Sequence, residues 1–143
     1  MTTAVYNTDF YAWTQQQAAL LRNEEWTEVD WQNLIEEIEA MGRSEQRELE
    51  NRLIVIVMHL LKLQYQPSRR TRSWVVTVQT QRVDVARHLR KNPSLRTLLT
   101  ETVADIYPDA VKKAAIETRL KAETFPPVCP WTAEQILDLS FLP

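Results

Sequence analysis

The sequence predicts an all-α fold, and three of its features support that prediction. The 143 residues include a single glycine, Gly42, whereas the tight turns of β-hairpins depend on the positive φ angles that glycine adopts. Apolar side chains recur at three- and four-residue intervals along most of the chain. Prolines and capping residues divide this pattern into segments of helical length. We therefore expect one helical domain over residues 1–143.

Two N-terminal segments each have one apolar side. Segment 9–22 carries apolar side chains at helical spacing and follows Thr8 or Asp9 as its candidate N-cap. Segment 30–41 follows Asp30, a second candidate cap. Its apolar side chains follow one another at helical spacing and are Trp31, Leu34, Ile35, Ile38 and Met41. Gly42 is expected to end or kink this helix.

Segment 45–65 predicts a central helix. Its middle, LIVIVMHLL, is rich in β-branched residues, which favours a buried strand. Strong helix formers flank it on both sides, so we predict a helix that begins after Ser44 and ends before Pro67. His59 falls on the narrow polar stripe of this helix. The remaining faces are apolar, as in a helix buried on most sides.

The C-terminal half contains the most ambiguous segment, 73–91. Its valines and threonines favour a strand by propensity, whereas Trp74, Val78, Arg82, Val85 and Leu89 would share one face of a helix. We predict the helix, with Ser73 as its cap.

Two further helices are predicted after this segment. The next helix runs over 95–120 and is expected to kink at Pro108. Thr132 and Gln135 form a capping-box pattern before a short last helix, 133–138.

Several motifs, in a fixed order, resemble those of a known family. They are the run YNTDFYAWTQQQAALL at 6–21, the pattern from Asp30 to Gln66, RSW at 72–74, SLR at 94–96, FPPVCPWT at 125–132 and the final FLP. Together they resemble a bacterial domain-of-unknown-function family, number 29. The resemblance implies an all-α, up-and-down bundle of about five helices with a short C-terminal helix, and it supports the helix over 73–91. It implies no activity, cofactor or catalytic residue.

The net charge of −2 hides a strong asymmetry along the chain. Residues 1–60 carry a net charge of −7, residues 61–100 carry +8, and residues 101–143 carry −3. Acidic and basic helices could pair inside the molecule, or the basic stretch could face an anionic partner. The sequence leaves both readings open.

Composition predicts a cytoplasmic protein that does not enter a membrane. Cys129 is the only cysteine, so no disulfide can form within the chain. The N-terminus has neither the charged nor the apolar region of a signal peptide. The longest apolar run, 53–61, is far shorter than the roughly 20 residues that span a bilayer.

The corner between the predicted helices 45–65 and 73–91 is the best candidate binding site. Arg69, Arg70 and Arg72 lie in sequence between Tyr65 and Trp74. Arginine binds phosphate with a planar fork, and aromatic rings stack on bases, so these five residues are the nucleic-acid-binding candidates. In the simpler interpretation, the two aromatic residues belong to the core, and the arginines neutralise the acidic helices of 30–50 or cap the C-terminus of the 45–65 helix.

Signals for catalysis and metal binding are weak. His59, with Glu37 or Glu48, could contribute to a metal site in a bundle, but the usual Glu-x-x-His spacing is missing. A single glycine rules out the GxSxG, P-loop and GxGxxG motifs. We therefore expect no cofactor and lean against an enzyme without excluding one.

Three functions remain, in order of preference. The first is a non-catalytic protein-interaction module that binds an unknown protein or a second copy of itself, because tryptophan favours interfaces and the chain has five. The second is a nucleic-acid-binding protein that uses the basic segment 61–100. The third is a metal-dependent bundle enzyme.

Overall fold

A computed structural model describes residues 2–143, with side chains described from Val5 onward. It confirms the all-α helical bundle: the described residues contain no strand. Their α-helices are α1 (Thr2–Thr8), α2 (Phe10–Arg22), α3 (Trp31–Tyr65), α4 (Arg72–Lys91), α5 (Leu99–Thr118) and α6 (Ala133–Leu137). Short 3-10 turns separate several of them.

The longest helix, α3, joins two segments that the sequence analysis treated as separate. It spans 35 residues and continues through Gly42, so the prediction of a helix end there, with a new cap at Ser44, was wrong. A glycine inside a helix costs only about 1 kcal/mol. The strong helix formers on either side of Gly42 outweigh that cost.

The chain divides into two compact units, an N-terminal unit of Met1–Glu45 and a C-terminal unit of Gln46–Pro143. In the N-terminal unit, a small polar network fixes the start of α3. The side chain of Gln17 accepts a hydrogen bond from the Asp30 amide at 2.7 Å, and Asp30 accepts one from the Trp13 indole at 3.1 Å. Asp9 caps α2 through the Ala12 amide at 3.0 Å, as predicted.

The C-terminal unit holds a large hydrophobic core. It is formed by the second half of α3 together with α4, α5 and α6, and its fully enclosed side chains include Leu49, Leu53, Ile56, Leu60, Val78, Val85, Ala110, Ala114 and Ile136. The helical prediction for segment 73–91 is confirmed, because the face with Val78 and Val85 packs into this core. Thr71, rather than Ser73, caps α4.

The last two predicted helices are also found. Helix α5 continues through Pro108. Thr132 and Gln135 form the predicted capping box at the start of α6.

Candidate protein-interaction surface

The N-terminal unit has an exposed apolar face on α3. The exposed fractions are 46% for Trp31, 53% for Ile35, 55% for Ile38 and 61% for Met41. These four residues, called the α3 apolar face below, follow one another at intervals of three or four and therefore share one side of the helix. Leu34, the remaining member of the apolar set predicted for this segment, is partly buried.

An apolar groove adjoins this face. It has a volume of about 390 Å³ and is lined by α2 and α3, with contributions that include Phe10, Trp13, Gln17, Glu37, Ile38 and Met41. Ile38 and Met41 belong both to the groove and to the α3 apolar face. Groove and face thus form one continuous surface within the N-terminal unit.

An aromatic cluster holds one side of the groove in place. The Phe10 and Trp13 rings stack with their centroids 5.6 Å apart, and the Tyr6 ring meets Trp13 edge-on at 4.8 Å. Edge-on and offset stacking are the favourable geometries for such rings. The run at 6–21, which is the first of the motifs that resemble the family, therefore contributes side chains to the groove.

The groove carries negative charge at Glu37. The Tyr6 hydroxyl donates a hydrogen bond to the Glu37 carboxylate, and this bond, together with desolvation, raises the pKa of Tyr6 above its usual value. The whole N-terminal unit contains nine acidic residues against two arginines. One of those arginines, Arg43, already pairs with Glu36 at 3.1 Å.

One groove-lining side chain has an unused donor. Gln17 is 2% exposed, and its Nε2 has no hydrogen-bond partner among the described residues. Its Oε1 is already bound to the Asp30 amide. An unsatisfied buried donor costs about 1–3 kcal/mol.

The predicted nucleic-acid-binding residues separate into two groups. Arg69, Arg70 and Arg72 are exposed, and none makes an ion pair with a described residue. Tyr65 and Trp74 are partly buried against the core of the C-terminal unit.

Both aromatic rings already have partners in that core. The Tyr65 ring meets Phe125 edge-on at 5.5 Å. The Lys62 ammonium lies 4.5 Å from the centre of the Trp74 ring. These contacts match the simpler interpretation, in which Tyr65 and Trp74 belong to the core. The three arginines, by contrast, form no ion pair with an acidic helix among the described residues.

The weak metal candidates His59, Glu37 and Glu48 do not form a cluster. His59 Nδ1 lies 2.8 Å from the Val55 carbonyl oxygen within its own helix, and burial lowers the pKa of His59. Glu37 contacts Tyr6 instead. Across the described residues, no group of three or more His, Cys, Asp or Glu side chains is placed to hold a metal ion.

Glu48 takes part in a different arrangement, of which the i, i+4 spacing of Glu48 and Arg52 indicated only one half. It accepts contacts from Arg52 at 3.4 Å and from His88 Nδ1 at 2.9 Å. His88 is buried. The sequence did contain a signal for this burial, because His88 lies three residues after Val85 and next to Leu89, and both of these belong to the predicted core face of α4.

A second cavity, of about 480 Å³, lies in the C-terminal unit. It is lined in part by Val103, Tyr107, Pro127, Cys129 and Trp131. Burial raises the pKa of the Cys129 thiol, which makes it a poorer nucleophile. Cys129 therefore has the character of a small, partly buried hydrophobic residue.

Comparison with known proteins gives one match, to a family. Residues 5–142 match the family described as "Domain of unknown function DUF29". No curated protein and no solved structure matches the chain. Within its described part, no helix is both long and apolar enough to cross a membrane.

Proposed function

The chain belongs to the family described as Domain of unknown function DUF29, and we propose that it is a non-catalytic protein-interaction module that binds through the α3 apolar face and its groove. The observation that carries the proposal is the exposure of four large apolar side chains in a row, at 46–61%. Scattered exposed apolar residues are normal, but contiguous patches mark interaction sites. The lone cysteine supports a cytoplasmic setting for this interaction.

Covering this face would stabilise a complex appreciably. Full burial of an isoleucine-sized side chain contributes about 1.5–3 kcal/mol. Because these four side chains are about half exposed, each would contribute roughly 1 kcal/mol on contact with a partner. Tryptophan and methionine, both present here, are enriched in protein interfaces.

The test compares two variants that make the same change on exposed helix surfaces. Ile38→Asn alters the groove, whereas Ile116→Asn alters an exposed position on α5 that is 76% accessible. The tagged full chain would capture partners from a lysate of the source organism. Each captured protein would then be purified and titrated against all three chains by calorimetry.

The proposal predicts that Ile38→Asn weakens the affinity of a captured partner at least about fivefold, whereas Ile116→Asn leaves it unchanged. Equal affinity for all three chains would contradict the proposal. So would the failure to find any partner together with a monomeric state, by light scattering, at high protein concentration.

A second candidate, nucleic-acid binding, is favoured by the exposure of Arg69, Arg70 and Arg72, none of which has an ion-pair partner among the described residues. Fluorescence anisotropy with labelled single- and double-stranded DNA and RNA, at about 50 and 200 mM salt, tests it. Binding that weakens steeply with salt and is lost in the double variant Arg69→Ala, Arg70→Ala would support it. The control variant Lys112→Ala, Lys113→Ala removes the same charge from α5, and an equal effect of both pairs would contradict a local site.

A further inference from the structure

We infer that the occupant of the groove is a cationic amphipathic helix of another protein. The inference rests on the proposed interaction role and specifies its partner. Its basis is the combination of an apolar channel between two helices, lined at one point by Glu37, with the net negative charge of the N-terminal unit.

The shape of the groove suits a helix. Its walls are α2 and α3, and its lining is apolar except at a few positions such as Gln17 and Glu37. Amphipathic helices dock in such channels by inserting side chains spaced at i, i+3, i+4 and i+7. The α3 apolar face extends from Trp31 to Met41, which is about 15 Å along the helix axis and corresponds to nearly three turns.

The net negative charge of the N-terminal unit favours a partner that carries positive charge. The N-terminal unit carries nine carboxylates against two arginines, and one of these carboxylates, Glu37, lines the groove itself. Lysine or arginine on the flanks of a docked helix would face these carboxylates, whereas acidic flanks would be repelled. Two N-terminal units meeting face to face would bring two charges of −7 together, which disfavours a second copy as the occupant.

Gln17 lies in the wall of the groove. Its Nε2 lacks a partner among the described residues, and its Oε1 is held by the Asp30 amide. Gln17 is one of the few polar residues in the lining, so most contacts of a docked helix would be apolar.

Three synthetic 18-residue peptides test the inference with the full chain. The first has a leucine face flanked by lysines, the second replaces every lysine with glutamate, and the third is a scrambled form of the first without an apolar face. Anisotropy of labelled peptides would be measured at about 50 and 200 mM salt. The protein variants are Ile38→Asn and Glu37→Gln, with Ile116→Asn and the exposed Glu101→Gln as their matched controls.

We expect the lysine peptide to bind at least about tenfold more tightly than either of the other two peptides. The ratio of its affinity to that of the glutamate peptide should be smaller at the higher salt concentration, because salt screens the charges. Ile38→Asn should weaken this binding, Glu37→Gln should reduce the preference for lysine over glutamate, and both controls should behave as the unmodified chain. Equal binding of the scrambled peptide, or of the glutamate peptide, would overturn the inference.

Light scattering in parallel separates this inference from the proposed function. If no peptide binds but the chain self-associates in a way that Ile38→Asn abolishes, the cationic helix is wrong as the occupant, while the interaction role stands. If no peptide binds and the chain is monomeric, the inference is likewise overturned. The capture experiment with purified partners then decides the proposed function separately.

Discussion

Arg82 offers the most precise test of how the C-terminal tail is held. The side chain is only 2% exposed, and its guanidinium donates three hydrogen bonds to main-chain carbonyls: Ile136 at 2.7 Å, Phe141 at 2.8 Å and Gln135 at 3.3 Å. A fourth bond goes to the Gln79 side chain at 3.0 Å. One buried cation on α4 therefore binds the end of α6 and the tail that follows it.

Replacing Arg82 with methionine keeps most of the side-chain volume and removes every donor. A hydrogen bond that involves a charged group contributes about 1.5–3 kcal/mol. The losses do not add in full, because burial already lowers the pKa of Arg82 by penalising its charge. We expect Arg82→Met to lower the free energy of unfolding by about 3 kcal/mol.

Urea unfolding followed by circular dichroism and tryptophan fluorescence would measure this loss. Arg82→Lys keeps the charge but not the planar fork, so it should cost less than methionine. Arg87→Met changes an exposed arginine of the same helix and should stay within about 0.5 kcal/mol of the unmodified chain. The account of the tail would be refuted if Arg82→Met were no more destabilising than Arg87→Met.

Three other expectations concern stability and are checked by the same unfolding measurement. Gly42→Ala should stabilise the protein by about 0.5–1 kcal/mol, because the residue is inside a helix and the added Cβ would meet no described atom within 4 Å beyond its chain neighbours and the adjoining backbone of α3. A loss of stability would argue against a continuous α3. Burial lowers the pKa of His59, so its neutral form is favoured in the folded state and the free energy of unfolding should fall as the pH drops from about 7.5 to 5.5. His59→Gln should remove the part of this decrease that His59 causes. A variant with the same pH profile as the unmodified chain would contradict this role of His59. Tyr107 donates a hydrogen bond to the Pro126 carbonyl at 2.7 Å, and burial raises the pKa of Tyr107 to about 12. Tyr107→Phe should therefore lower the free energy of unfolding by about 1 kcal/mol at pH 7. The stability difference between the two chains should shrink above about pH 10, because Tyr107 ionises in the unfolded state before it ionises in the folded state.

Local signals in the sequence were sufficient for most helices and several caps. The Thr132–Gln135 box and the Asp9 cap depend only on neighbouring residues, so their patterns could be recognised directly. The valine-rich helix α4 was recoverable because Val78 and Val85 keep the spacing of one helical face even where propensity favours a strand.

Features that depend on distant parts of the chain could not be predicted. The α3 apolar face has the same pattern as a buried face, because periodicity shows which residues share a side but not whether anything covers that side. The burial of His88 depends on Glu48, forty residues earlier in the chain. The role of Arg82 depends on carbonyls more than fifty residues away, to which no motif points.

The central claim, that the α3 apolar face is open in solution, can be tested by the rate of methionine oxidation. Met41 is 61% exposed within that face, whereas Met58 is 6% exposed and serves as an internal control in the same helix. Mild peroxide treatment followed by peptide mass spectrometry would give both rates, because sulfoxide formation follows exposure. The account predicts that Met41 oxidises at least about tenfold faster than Met58 and is protected by a bound partner. Oxidation of Met41 as slow as that of Met58 in the isolated chain would show that the face is already covered, and would contradict the proposed interaction surface.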